Sequence, residues 1–135
     1  MREILFRGKT YNDKWVQGLL VQMDDHLTQI RKLGSDGIGY YDYSIVPSTV
    51  GQYTGLTDKN GRKIFEGDIL KIYEGSEDDG YKICNVYSYG GVLCVDYETS
   101  EWDFNALAFL DSDNVFTFEV IGNIHDNPEL LEVTE

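Results

Sequence analysis

Apolar and polar positions along this chain follow the two-residue period of strands more often than the 3.6-residue period of helices. From Gly51 to Tyr73 the pattern predicts two strands and two tight turns. Asn60-Gly61 is a strong short-range hairpin signal, because both residues accept the positive φ that a type I′ turn demands. Glu66-Gly67-Asp68 supplies a second bend, after which Ile69 to Tyr73 reads as a strand rich in β-branched and aromatic residues. The first 23 residues read as another hairpin. Ile4 and Phe6 alternate with Leu5 and Arg7, Asn12-Asp13 form the turn, and Trp15 to Val21 returns as an extended apolar run.

Between Asp24 and Ser44 the periodicity is weak. Leu27 to Ile30 reads as a short strand, and Gly34 to Gly39 as a flexible loop, so this stretch is expected to be the most mobile or variable. Pro47 leads into a strand over Thr49 to Tyr53. Further on, Tyr81 to Tyr89 and Val92 to Tyr97 flank Gly90-Gly91 as a hairpin, which sets Tyr89 opposite Val92, Tyr87 opposite Cys94 and Cys84 opposite Tyr97. A capping Thr99 or Ser100, first-turn acids and a helical stripe of either Trp102, Leu107 and Leu110 or Phe104, Leu107 and Ala108 predict one short helix over Ser100 to Leu110. Val115 to Gly122 is the last strand. Asp126 to Leu131 reads as a single helical turn with Asn127 as cap and Pro128 at its first position.

Composition supports the strand reading. Six Phe, two Trp and ten Tyr accompany 14 Gly and only 2 Pro, a balance suited to strands and tight turns. At 135 residues the chain is one compact unit by size, able to bury roughly two-thirds of its unfolded surface without staples. No run of about 18 apolar residues is present, nor a charged start followed by an apolar core and a cleavage site. The expected setting is therefore soluble and cytoplasmic, with no membrane partner.

Charge is unevenly spread. Residues 1–73 hold ten Lys or Arg against nine Asp or Glu, a net of +1, while residues 74–135 hold only Lys82 against fifteen acids, a net of −14, which together give the formal −13. Each phosphate contact with DNA needs a cation to release counterions, so the second half is a poor nucleic-acid binder. Two explanations of the acidity remain open: a solvated face that aids solubility, or electrostatic matching. In the second, the acidic half of one copy meets Arg7, Lys9, Lys14, Arg31, Lys32, Lys59, Arg62 or Lys63 of another in a head-to-tail ring.

Candidate chemistry is sparse. Gly8-Lys9-Thr10 lacks the earlier glycine of a phosphate loop, since Glu3 stands there. Leu56 to Gly61 mimics part of a calcium loop, but Leu56 offers no side-chain oxygen and Gly67 replaces the bidentate glutamate, so Asp58 is better explained as a cap for the turn's own amides. Glu74 to Gly80 crowds four carboxylates into what reads as a solvated loop. Cys84 and Cys94 fall on opposite faces of their ribbon and are expected as reduced, packed thiols, with His26 and His125 at no zinc-ligand spacing. Tyr40-Tyr41-Asp42-Tyr43 has the aromatics of a base-stacking platform, but its sequence neighbours are acidic, which favours packing at an interface or a sheet edge. No catalytic, cofactor-binding or metal-binding residue is assigned, and no cofactor is expected.

Three segments together resemble the YopX family. They are Ile4 to Lys9 with Trp15 to Gly18; Val50 to Leu56, followed by Asp58 to Gly61 and Phe65 to Ile69; and Val120 to Leu130. Members of that family are mostly small phage and prophage proteins of Gram-positive bacteria. The resemblance implies a mainly β fold with an SH3-like barrel in the C-terminal part, and no established activity or catalytic residue. The fold reading is thus mainly β: a β-hairpin-bearing subdomain over residues 1–45, an SH3-like small barrel or roll over residues 46–135, and one or two short helices. The functional reading is a non-enzymatic phage or prophage accessory protein that acts by self-assembly as a homo-oligomer and by binding a host or phage protein. The alternative is an acidic DNA mimic that occupies a host nucleic-acid-binding protein.

Overall fold

A computed structural model describes residues 3–24, 27–74, 80–89, 92–95, 105–106 and 116–132. The chain is mainly β, built from antiparallel pairs with two short 3-10 turns at Pro47–Thr49 and Pro128–Leu131. It divides into two units, residues 1–55 and 56–135. The segment after the Pro47 turn pairs with the first strand, Phe6 opposite Gln52 and Arg7 opposite Gly51, and so belongs to the first unit.

In the first unit, β1 (Phe6–Lys9), β2 (Trp15–Asp24), β3 (Leu27–Leu33) and β4 (Tyr40–Ser44) form a meander. The start of β5 (Gly51–Thr57) pairs on the far side of β1, giving the order β4-β3-β2-β1-β5. The first hairpin turns as the sequence predicts, with Asp13 at φ 64° and the Thr10 hydroxyl accepting the amides of Asn12 and Lys14. The weakly patterned stretch also folds into a hairpin. Gly34 N–H donates to Gly39 C=O, Gly37 takes φ 73°, and Asp36 accepts the Ile38 amide, so local turn chemistry supplies the order that hydrophobic periodicity does not. Alternation then sends Val16 and Ile30 inward, where they pack with Ile45 and with the half-buried Phe6, Leu20 and Val50.

Past β4 the chain curls back on β1. Ile45 forms an isolated bridge with Thr10, and Val46 N–H donates to Lys9 C=O. Two glycines permit this curl. A Cβ on Gly8 would lie 2.4 Å from the Ile45 side chain, and one on Gly18 would lie 2.1 Å from the carbonyl oxygen of Arg31.

In the second unit, β6 (Lys63–Phe65) follows the end of β5. Two three-stranded sheets come after it, ordered β12-β7-β8 and β11-β10-β9. Their strands are β7 (Asp68–Glu74), β8 (Lys82–Asn85), β9 (Tyr87–Tyr89), β10 (Val92–Val95), β11 (Asn105–Ala106) and β12 (Phe116–Asn123). Ile64, Leu70, Ile72, Val86, Val95 and Phe118 lie at the centre of its core. The sheets are open: among the described residues no closed barrel forms.

Three sequence expectations change here. Asn105 and Ala106 are extended and pair with Val95 and Cys94, so the expected helix over Ser100 to Leu110 is replaced by strand at those two positions. Its other residues lie outside those described. Tyr81 to Tyr89 is not one strand, because the backbone of Val86 bonds Gly67 and Asp68 and splits it into β8, paired with β7, and β9, paired with β10. Within the second pair the register is the expected one, Val92 opposite Tyr89 and Cys94 opposite Tyr87, whereas Tyr97 lies outside the described residues. The Asn60-Gly61 reversal occurs, but not as a type I′ turn. Gly61 alone has positive φ, 82°, and Gly61 N–H donates to Asp58 C=O while Asp58 N–H donates to Arg62 C=O. This is the three-residue loop in which a left-handed glycine follows the turn.

Cys84 and Cys94 are both buried thiols outside any disulfide. A thiol reagent added to folded protein is therefore expected to label neither, and to label both once denaturant is present; rapid labelling of the folded state would contradict this packing.

Candidate functional site

Two polar clusters compete for functional interest, and chemistry separates them. The first surrounds Asp58, which is only 6% exposed. Its Oδ1 accepts the amides of Asn60 and Arg62, each at 2.9 Å, and its Oδ2 accepts the Val120 amide of β12 at 2.9 Å. Burial, the largest influence, raises its pKa, but the three amides and the Arg62 charge together outweigh it and hold the carboxyl below the ordinary aspartate range. A carboxylate held ionised by three donors is a clasp rather than an acid or base. Its surroundings agree: Lys59 N–H donates to Phe118 C=O, while Lys59 Nζ donates to the Tyr73 hydroxyl at 2.9 Å and lies 3.6 Å from Glu119.

The second cluster lies on the surface of the first unit. All five residues of β4 are exposed, with Tyr40 at 55%, Tyr41 at 64% and Tyr43 at 38%. Antiparallel register sets Asp42 opposite Arg31 and Tyr41 opposite Lys32. Arg31 grips Asp42 through two bonds, Nε to Oδ1 at 2.8 Å and Nη2 to Oδ2 at 3.0 Å, and its guanidinium stacks 4.0 Å from the Tyr40 ring. That bond raises the Arg31 pKa and lowers that of Asp42. On the neighbouring strands Arg7 lies 4.8 Å and Lys9 5.9 Å from the Trp15 ring.

A cleft of about 460 Å³ opens beside β4, between Asp42, Tyr43 and Ser44 on one side and Thr10 to Asn12 and Lys14 to Val16 of the β1–β2 hairpin on the other; Lys32 also lines it. It lies beside the place where the curled meander closes, at the Thr10–Ile45 bridge and the Val46–Lys9 bond. Sequence neighbours alone give the tyrosine run acidic company, but the sheet places Arg31 and Lys32 against it. The signal was present in principle, because a hairpin centred on Asp36-Gly37 fixes that register.

Elsewhere the geometry is structural. His26 lies outside the described residues. The backbone amides of His125 and Asp126 donate to the Asn123 side chain, a turn of the Asx kind. Asn127 is the N-cap of the Pro128 turn as expected, but its side chain makes no capping bond; its Oδ1 accepts the Asn123 amide instead. Among the described residues no group of three or more His, Cys, Asp or Glu is placed to hold a metal. No helix among them is long and apolar enough to cross a membrane.

The sequence model described as YopX protein matches residues 5–132. This chain belongs to the YopX family. Two solved structures agree with that assignment of fold. The crystal structure of YopX from Bacillus subtilis is 20% identical with a TM-score of 0.64, the match covering 97% of this chain and 99% of that one. Protein EF1440 from Enterococcus faecalis is 24% identical with a TM-score of 0.58 and the same coverage. No curated protein sequence matches this YopX-family chain. YopX membership brings a fold with it and no known catalytic activity.

Proposed function

We propose that this YopX-family protein is a non-enzymatic accessory protein of a phage or prophage, acting in the bacterial cytoplasm by self-assembly and by binding another protein. Strand β4 carries the reading. It stands at the end of its sheet with every residue exposed, and Leu33 at 69% and Ile38 at 89% exposure flank it. An exposed edge rich in large apolar side chains is a liability unless something covers it. Tyrosine suits that role, offering broad contact area at little entropic cost and a hydroxyl for the rim. An SH3-like barrel in the C-terminal part belongs to the same proposal, supported by short strands and by the register shift between Val120 and Gly122 that bends β12. The acidic-mimic alternative gains nothing from geometry, because most of the fifteen carboxylates after Tyr73 lie outside the described residues.

Sedimentation velocity tests the assembly. At micromolar concentration the wild type is expected to associate, and Tyr40→Ser/Tyr41→Ser to weaken association at least tenfold with an unchanged unfolding midpoint. A wild type that stays monomeric in low and high salt alike overturns the reading.

A further inference from the structure

We propose that the cleft between the β1–β2 turn and the outer edge of β4 is a docking groove for an extended acidic segment from a second copy of this chain. The proposal deepens the assembly reading and rests on it.

One wall of the groove is strand β4, through Asp42, Tyr43 and Ser44. Among the described residues no strand pairs with the outer edge of β4, and the chain meets β1 only beyond it, at Ile45. Such an edge offers alternating N–H and C=O groups, which a polypeptide strand matches and a nucleic acid or a small anion does not. The opposite wall carries Tyr11, 69% exposed, on a turn that the Thr10 hydroxyl holds in place.

Charge selects the kind of strand. Lys14 and Lys32 both line the groove, and among the described residues neither is joined in an ion pair. Asp42, the acid that lines it, is already held by both bonds from Arg31. The groove thus presents two ammonium groups with no free carboxylate to answer them.

The chain itself supplies the complement, since residues 74–135 carry fifteen acids against one lysine. Residues 1–73 hold ten of the eleven Lys and Arg, so copies approaching head to tail bring the acidic half of one against the cations of the other. Association of this kind is heterologous and closes into a ring or propagates.

The test uses full-length protein and a labelled synthetic peptide of residues 96–103, Asp-Tyr-Glu-Thr-Ser-Glu-Trp-Asp. Fluorescence anisotropy is expected to show binding that weakens at least tenfold in Lys14→Glu/Lys32→Glu. A peptide with its four acids changed to amides is expected to lose affinity by a similar factor. Because both lysines are exposed, the unfolding midpoint of the variant is expected to stay at the wild-type value. Unchanged peptide binding in that variant overturns the groove, as does tighter binding of an oligothymidine of equal charge. Self-association that survives Lys14→Glu/Lys32→Glu but fails in Tyr40→Ser/Tyr41→Ser also overturns the groove and leaves the assembly reading intact. A monomeric wild type overturns the assembly reading, and the second copy as occupant with it.

Discussion

Asp58→Ala is expected to lower stability by about 4 kcal/mol, the sum of three lost bonds to an ionised acceptor, with one donor left buried and unsatisfied. The donor that matters most is the Val120 amide, since it belongs to β12 and bonds across 62 residues of sequence. The other two, from Asn60 and Arg62, turn toward water more easily once the carboxylate is gone. Asp58→Asn is expected to fall between the wild type and alanine, because the amide keeps one acceptor but sets an NH2 against an N–H. The pH dependence carries a definite sign. Asp58 is held below the ordinary aspartate range when folded, so its contribution is complete above about pH 4, the unfolded value. It fades as pH falls through the lower, folded value. Urea unfolding should therefore show a gap between wild type and Asp58→Ala that is widest at neutral pH and narrows in acid. A gap below about 1 kcal/mol at pH 7 would remove the clasp from the account of this fold.

Gly18→Ala is the second large effect, expected at about 3 kcal/mol or more from overpacking. The new methyl would meet the Arg31 carbonyl oxygen at 2.1 Å and its carbon at 2.9 Å, and backbone in the middle of a paired strand has nowhere to go. Gly8→Ala offers the contrast. There the obstacle is the Ile45 side chain, 1% exposed, with its Cγ2 at 2.4 Å, and trimming it should restore part of the loss. A double-mutant cycle with Ile45→Ala is expected to show favourable coupling between positions 8 and 45. No side-chain substitution at Arg31 should rescue Gly18→Ala, because the obstacle is main chain. Circular dichroism melts of Gly18→Ala and of the three variants of the cycle decide both claims, and wild-type stability in Gly18→Ala would mean that β2 and β3 lie farther apart at that point.

Local chemistry was the legible part of this sequence. The reversal at Asn60-Gly61, the bend at Glu66-Gly67-Asp68 and the hairpin around Asn12-Asp13 all stand where turn residues place them, because glycine and Asx residues act within four positions of themselves. The form of the central turn was not legible. Asp58 takes two of its amides locally, from Asn60 and Arg62, but the third comes from Val120, 62 residues away, and nothing in the local sequence announces it. The helix expected after Ser100 fails at Asn105 and Ala106 for a similar reason: capping and periodicity count only local gains, while pairing with Cys94 and Val95 depends on β10 being in place. The surface on β4 was half legible. Its tyrosines are plain in sequence, but its cations arrive from β3 by cross-strand register, and the cleft beside it depends on where the curled meander closes.

The bond from Val120 to Asp58 also sets an order of events during synthesis. The hairpin around Gly61 has all its local partners once residue 65 has left the ribosome, yet β12 emerges more than fifty residues later. Until then Phe118 and Val120 are missing from the core and the clasp is incomplete. A chain halted before residue 116 should therefore be a substrate for proteases, and the nascent protein completes its second unit only once β12 has emerged.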